Sequence, residues 1–145
     1  MDLTMEKLIE MTFTATFRVR WVDTDTAGVM HFSNFLRYFE ACEQEFYRSL
    51  GMTWNSIREK YGIMLPRVEV RCNFKAPCRF DDLIEVRLKV LEVIGKTIAY
   101  DFLVFRKDDN ELAAEGYMKC IAVNSDWKAA TLPAELGRAV RKSVA

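Results

Sequence analysis

Between residues 14 and 22, apolar Ala15, Phe17, Val19 and Trp21 alternate with polar Thr16, Arg18 and Arg20, the period-two pattern of a half-buried strand. Past a loop over residues 23–32 the period lengthens. Phe35, Tyr38, Phe39, Cys42, Phe46 and Leu50 recur at steps of three and four, which predicts a helix over residues 34–50, about 25 Å long, with one strongly apolar face. Arg37, Glu40, Glu43, Gln44 and Arg48 read as its solvated remainder, Ser33 as its N-cap and Gly51 as its stop. A short second helix over residues 53–60 is expected, capped by Thr53 and ended by Tyr61-Gly62.

The second half of the chain changes texture. Residues 68–75, 84–93, 97–107 and 112–123 carry β-branched and aromatic residues in period-two stretches, so four more strands are predicted. Gly95-Lys96 and Asp108-Asp109-Asn110 have turn chemistry, which makes the last three strands an antiparallel meander. Pro133 opens a terminal helix reaching about residue 143. Strand, long helix, then four strands is an α+β order, and the apolar helix must bury its stripe. A curved antiparallel five-stranded sheet wrapped round that helix satisfies it. Such a sheet leaves open edges and an uncovered face, so a homodimer is expected.

Composition narrows the function classes. The chain has 145 residues with 21 Lys+Arg against 21 Asp+Glu, and this balance argues against a phosphate-backbone partner such as nucleic acid. One domain is expected over residues 1–145, with residues 1–13 as an N-terminal extension, and a core that removes roughly 68 to 70 percent of the unfolded surface from water. The longest apolar runs, residues 102–105 and 120–123, are far below the ~20 residues a membrane helix needs, so no membrane partner is expected. Asp2, Glu6, Lys7 and Glu10 interrupt any leader-like apolar segment, and the expectation is a cytoplasmic protein. Cys42, Cys72, Cys78 and Cys120 form no Cys-x-x-Cys pair, which reads as core packing rather than a metal site.

The segment from Asp23 to Asn34 holds two carboxylates and the only histidine, and it sits just before a helix N-terminus. Such a terminus offers unpaired N–H groups and partial positive charge that polarise a carbonyl oxygen. A calcium loop starting at Asp23 fails, because Ala27 and Asn34 stand where oxygen ligands are needed. There is no Gly-x-Ser-x-Gly elbow, and no two glycines lie close enough to cradle phosphates. On residue types alone, Asp23 and Asp25 serve equally as turn caps or as chemical groups, and His31 equally as a packed ring.

RVRWVDTDTAGVMHFSNFLRYFE over residues 18–40 resembles the N-terminal signature of the 4-hydroxybenzoyl-CoA thioesterase-like branch of the hotdog-fold superfamily. The resemblance continues through FKAPCRFDDLIEVR at residues 74–87 and ends at Leu132-Pro133, covering the chain from Thr14 onward. It implies the same sheet-around-helix fold, dimers with a continuous sheet that commonly pair into tetramers, and hydrolysis of acyl-CoA thioesters without a metal or redox cofactor. By position, the catalytic carboxylate falls on Asp25 and the carbonyl-polarising backbone N–H on Phe32. Gly28 falls on the loop glycine that lets substrate approach. His31 stands where relatives often carry an aromatic residue, and some place a histidine at the following position, here Phe32; His31 is therefore a secondary site. Lys96 is the best counterpart of the basic residues that grip the CoA phosphates. Phe32, Phe35, Tyr38, Phe39 and Phe74 suit an aryl-acyl pocket and suit a core equally, and a short aliphatic acyl group fits no worse. The alternative is a non-catalytic acyl-CoA-binding module on the same fold. A hotdog dehydratase ranks lower, since the proline-rich pattern of that branch is absent.

Overall fold

The computed structural model describes residues 12–143, so most of the expected N-terminal extension lies outside the described residues. The elements run β1 (Phe13–Arg18), a 3-10 turn (Trp21–Asp23), α1 (Phe32–Ser49), α2 (Trp54–Tyr61), β2 (Arg67–Phe74), β3 (Leu83–Ile94), β4 (Thr97–Arg106), β5 (Glu111–Ile121) and α3 (Ala134–Lys142). The strands form one antiparallel sheet in the order β1-β3-β4-β5-β2, which leaves β1 and β2 at its edges. The β3-β4-β5 meander is as expected, with Ile94 opposite Thr97 across the Gly95-Lys96 turn.

One face of the sheet closes on α1. Ile84, Val86 and Leu88 of β3, with Ile98, Tyr100, Phe102 and Val104 of β4, are buried at alternate positions and meet the apolar stripe of the helix. Phe35, Tyr38, Phe39, Cys42 and Phe46 fill that stripe, as their spacing requires. Aromatic contacts reach β1, β4 and β2: Phe46 packs on Phe13, Tyr38 on Phe17, Phe39 on Phe102 and Phe35 on Phe74. Cys42 Sγ lies 3.5 Å from the Val86 carbonyl. Cys42, Cys78 and Cys120 are buried free thiols, and burial pushes Cys42 and Cys120 up to about 12.

Three expectations need correction. The first strand stops at Arg18 rather than residue 22, because Val19 exchanges backbone hydrogen bonds with Asp81 and Asp82 and the chain then tightens into the 3-10 turn. The long helix begins at Phe32 and is capped by His31, whose side chain accepts the Ser33 amide; Ser33 is inside the helix. Glu43 is fully buried rather than solvated. It forms a two-pronged pair with Arg67 and neighbours Cys120, and its presence beside the Tyr47–Tyr100 hydroxyl pair (2.5 Å) completes a polar island inside the core. Burial raises the Glu43 carboxyl above its ordinary range while Arg67 opposes it. No buried side-chain nitrogen or oxygen among the described residues is left unpaired. Thr53 and Gly62 bracket α2 as expected.

Phe39 rests flat against Phe102, with ring centroids 4.7 Å apart and planes at 11°, directly over Gly116. A methyl group at position 116 would overlap the Phe39 ring, and the stacked Phe102 blocks its retreat. Gly116→Ala is therefore expected to destabilise the fold by about 1 to 3 kcal/mol, read as a lowered urea midpoint with unchanged slope.

Candidate active site

The loop between β1 and α1 folds into a miniature ladder. Asp23 O accepts the His31 amide at 2.8 Å, Thr24 bridges Met30, and Asp25 N–H donates to Val29 O at 2.9 Å. The tip is a turn closed by Gly28 N–H on Asp25 O at 3.0 Å. Gly28 takes φ +82°, a left-handed conformation open to glycine at little cost, which gives this position a reason independent of any ligand. Met30 N–H donates to Cys78 O at 2.6 Å, so the ladder is also pinned to the connection between β2 and β3.

Asp25 is exposed at this tip. One carboxylate oxygen, Oδ1, accepts the Ala27 amide at 2.8 Å; among the described residues nothing takes up the other. Across the loop, the first turn of α1 divides its amides. His31 Nδ1 accepts Ser33 N–H at 3.2 Å and lies 2.8 Å from Ser33 Oγ, and His31 O accepts Asn34 N–H at 2.9 Å. Phe32 N–H is left without an acceptor among the described residues, at the positive end of an 18-residue helix. The Phe32 ring is exposed and stacks on the His31 imidazole at 4.4 Å.

Asp23, which residue types alone did not tell from Asp25, has the opposite environment. It is 3 % exposed. Tyr38 OH donates to its Oδ2 at 2.5 Å, the Arg20 guanidinium reaches both oxygens at 3.3 and 3.4 Å, and its backbone carbonyl also accepts Asn34 Nδ2 at 2.9 Å. Burial works against ionisation, but the bonds from Tyr38 and Arg20 outweigh it and hold the carboxyl below the usual carboxylate range. Asp23 thus ties the residue two before Asp25 to the residue just before Phe32. Arg20, Asn34 and Tyr38 are the supporting residues that sequence reading missed; the only signal for them was polar character facing a loop.

Asp25, Gly28, His31 and Phe32 therefore share one rigid loop, whereas Lys96 does not join them. Arg18, just before the loop, pairs with Leu83, and the 12 residues of β3 carry the chain roughly 36 Å away before the Gly95-Lys96 turn. A cavity of about 630 Å³ lies on the sheet between Arg71, Arg87 and Tyr117 and is lined by none of the loop residues. Among the described residues no cluster of His, Cys, Asp and Glu is arranged to hold a metal ion, and no helix is long and apolar enough to cross a membrane.

The Asp23 clamp has a pH signature. A carboxyl whose folded pKa is depressed contributes stability above its unfolded value near 3.9, and that contribution is lost as pH falls through the folded value. Asp23→Asn is expected to cost about 1.5 to 3 kcal/mol at pH 7, the range for a hydrogen bond to a charged group. Urea denaturation as a function of pH checks it: the gap between the native protein and the variant should narrow below pH 4.

Comparison with known proteins identifies the family and the fold. The model of the Thioesterase-like superfamily matches residues 19–140. A putative esterase of Aquifex aeolicus is 32% identical over 126 residues, covering 87% of this chain and 95% of the relative. Acyl-CoA thioesterase YbgC of Haemophilus influenzae is 28% identical over 99 residues, covering 68% and 73%. The solved structure of a gentisyl-coenzyme A thioesterase superposes with a TM-score of 0.77 at 26% identity, covering 85% of this chain and 98% of that one. The five-stranded sheet round a long helix is the hotdog fold of these thioester hydrolases, and the chain belongs to the Thioesterase-like superfamily.

Proposed function

We propose that the protein hydrolyses the thioester of a small acyl-CoA to the free acid and CoA, with Asp25 and the Phe32 amide as the reacting pair. The supporting observation is the division of labour in the loop: Asp23 is buried and bonded by Tyr38 and Arg20, while among the described residues one Asp25 carboxylate oxygen and the Phe32 N–H have no partner. The thioester oxygen accepts from Phe32 N–H, where the helix dipole offsets the negative charge that develops on it. Asp25 then acts by one of two balanced routes. It attacks the carbonyl carbon, expels the CoA thiolate and leaves a mixed anhydride that water opens; or it takes a proton from a water molecule that attacks directly. Both need an ionised carboxylate, and both consume one water. His31 shapes this pocket by capping α1 through Nδ1.

The site is open in a single chain, so a second copy is the natural wall. β2 lies at a sheet edge and exposes Val68, Val70 and Phe74 between the charged Glu69 and Arg71, an edge with apolar groups that a second copy could cover. Phe74 contacts both Phe32 and Phe35, which places the head of α1 at the end of that edge. An isologous β2–β2 pairing gives a ten-stranded sheet and encloses the loop, and two such dimers form the tetramer.

Asp25→Asn, nearly isosteric and exposed, should leave fold and oligomer unchanged and lower thiol release from acyl-CoA substrates by at least about 100-fold. His31→Phe should cost the helix cap, about 1 kcal/mol of stability, and reduce turnover less. Unchanged turnover in the Asp25 variant would remove it from the mechanism. Val70→Lys should convert the dimer to monomer in sedimentation velocity and abolish activity with the loop intact; an active monomer would contradict the shared site.

A further inference from the structure

The loop that carries Asp25 and Phe32 is tied to its own helix through Asp23, and its other anchor leads away from the site. Met30, two residues before Phe32, is buried, and its N–H donates to Cys78 O at 2.6 Å. Cys78 belongs to the connection between β2 and β3, which is held on both sides of it. Lys75 and Ala76 N–H both donate to Ala113 O, at 2.8 and 3.1 Å, and Asp81 N–H donates to Val19 O at 2.9 Å. Between those anchors stands Pro77, which has no N–H, so its carbonyl is its one backbone hydrogen-bonding group. Arg106 Nη1 donates to that carbonyl at 2.7 Å.

Arg106 is the last residue of β4, and its guanidinium grips two places at once. Nε and Nη2 donate to Oδ1 and Oδ2 of Asp109 at 3.2 and 2.7 Å, while Nη1 reaches Pro77. Asp109 is itself fixed in the turn between β4 and β5, where Oδ1 also accepts Glu111 N–H at 3.2 Å. The bonds from Arg106 hold the Asp109 carboxyl below the ordinary carboxylate range. A planar guanidinium with all three nitrogens engaged is a rigid bracket, and a lysine ammonium has no such plane. This bracket sets the Pro77 peptide against the β4–β5 turn, and the next carbonyl in the chain is the one that takes Met30.

Resting on the hydrolase reading, we infer that Arg106 is a positioning residue for thioester hydrolysis. Through Pro77 and Cys78 it sets the place of Met30, and with it the alignment of the Asp25 carboxylate with the Phe32 amide. Thr24 bridges Met30 and Asp25 N–H bonds to Val29 O, so a displaced Met30 moves both sides of the loop ladder. Misplacement by about 1 Å is enough to lower a rate on the order of 100-fold where two groups act on one carbonyl.

Arg106→Gln removes the bracket. With 4-hydroxybenzoyl-CoA and hexanoyl-CoA as substrates, kcat is expected to fall at least about tenfold with KM within about twofold, and Arg106→Lys, which keeps the charge without the fork, should fall between. Asp109→Asn leaves Arg106 its bond to Pro77 but weakens the grip on the turn, so a smaller loss of kcat in the same direction serves if Arg106→Gln fails to fold. Val140→Ala opens a cavity in α3, whose Arg141 binds Val93 at the opposite end of β3 from the loop; it should lower the melting temperature and leave kcat native. Amide exchange followed by NMR reads the bracket without substrate: Met30 N–H should exchange about tenfold faster in Arg106→Gln and at the native rate in Val140→Ala. Native kcat in Arg106→Gln, a fallen kcat with Met30 exchange unchanged, or an equal loss of kcat in Val140→Ala overturns the inference. A native protein that cleaves neither thioester sinks the hydrolase reading alone, and the Met30 exchange still decides whether Arg106 holds the loop.

Discussion

The molecule depends on burying the apolar face of α1 against the concave side of its sheet. The contact is close because Gly116 presents bare backbone beneath Phe39, which lies flat between it and Phe102. That single approach sets the height of the helix above β4 and β5. Phe13, Phe17 and Phe74 then fix its two ends against the sheet edges through Phe46, Tyr38 and Phe35. A helix held in this way does not slide, so the direction in which its first amide points is determined by packing some distance away.

From that fixed helix the chemistry follows by short-range bonding. Tyr38, nearly two turns into the helix, places its hydroxyl on Asp23, and Asn34 places its amide on the carbonyl of the same residue. The loop is therefore anchored to the helix it precedes, and the anchor uses one aspartate so that the next remains available. Of two carboxylates two residues apart, one is satisfied by Tyr38 and Arg20 and the other presents an oxygen to solvent. Preorganisation of this kind lowers the reorganisation needed when charge develops on a bound carbonyl oxygen.

A second polar structure lies deeper. Glu43 and Arg67 bring a helix and an edge strand together through a buried charge pair, with Tyr47, Tyr100 and Cys120 around them. Placing two charges in a core is expensive unless the buried donors and acceptors are matched, and among the described residues no buried side-chain nitrogen or oxygen lacks a partner. The pair orients the Arg67 end of β2, and that end also lines a cavity of about 410 Å³ beside α2. One arrangement thus joins the core, the exposed edge and a wall of the cavity.

Local periodicity in the sequence determined the element order, the meander, the helix stripe and the position of the loop, because alternation and three-to-four spacing are consequences of backbone geometry that each segment carries alone. The loop motif also placed Asp25, Gly28, His31 and Phe32 together. The resemblance chose Asp25 over Asp23, but only tertiary structure gave the physical difference between them, with Tyr38 and Arg20 closing on one and not the other. It alone revealed Glu43 as a core residue: its position on the helix reads as solvated until an arginine from 24 residues later meets it. The end of β1 shifted for the same reason, through bonds from Val19 to Asp81 and Asp82, whereas the start of α1 shifted through a local cap, His31 on the Ser33 amide. Buried charges take their meaning from partners distant in the chain, whereas the hydrophobic pattern carries its meaning within a few residues.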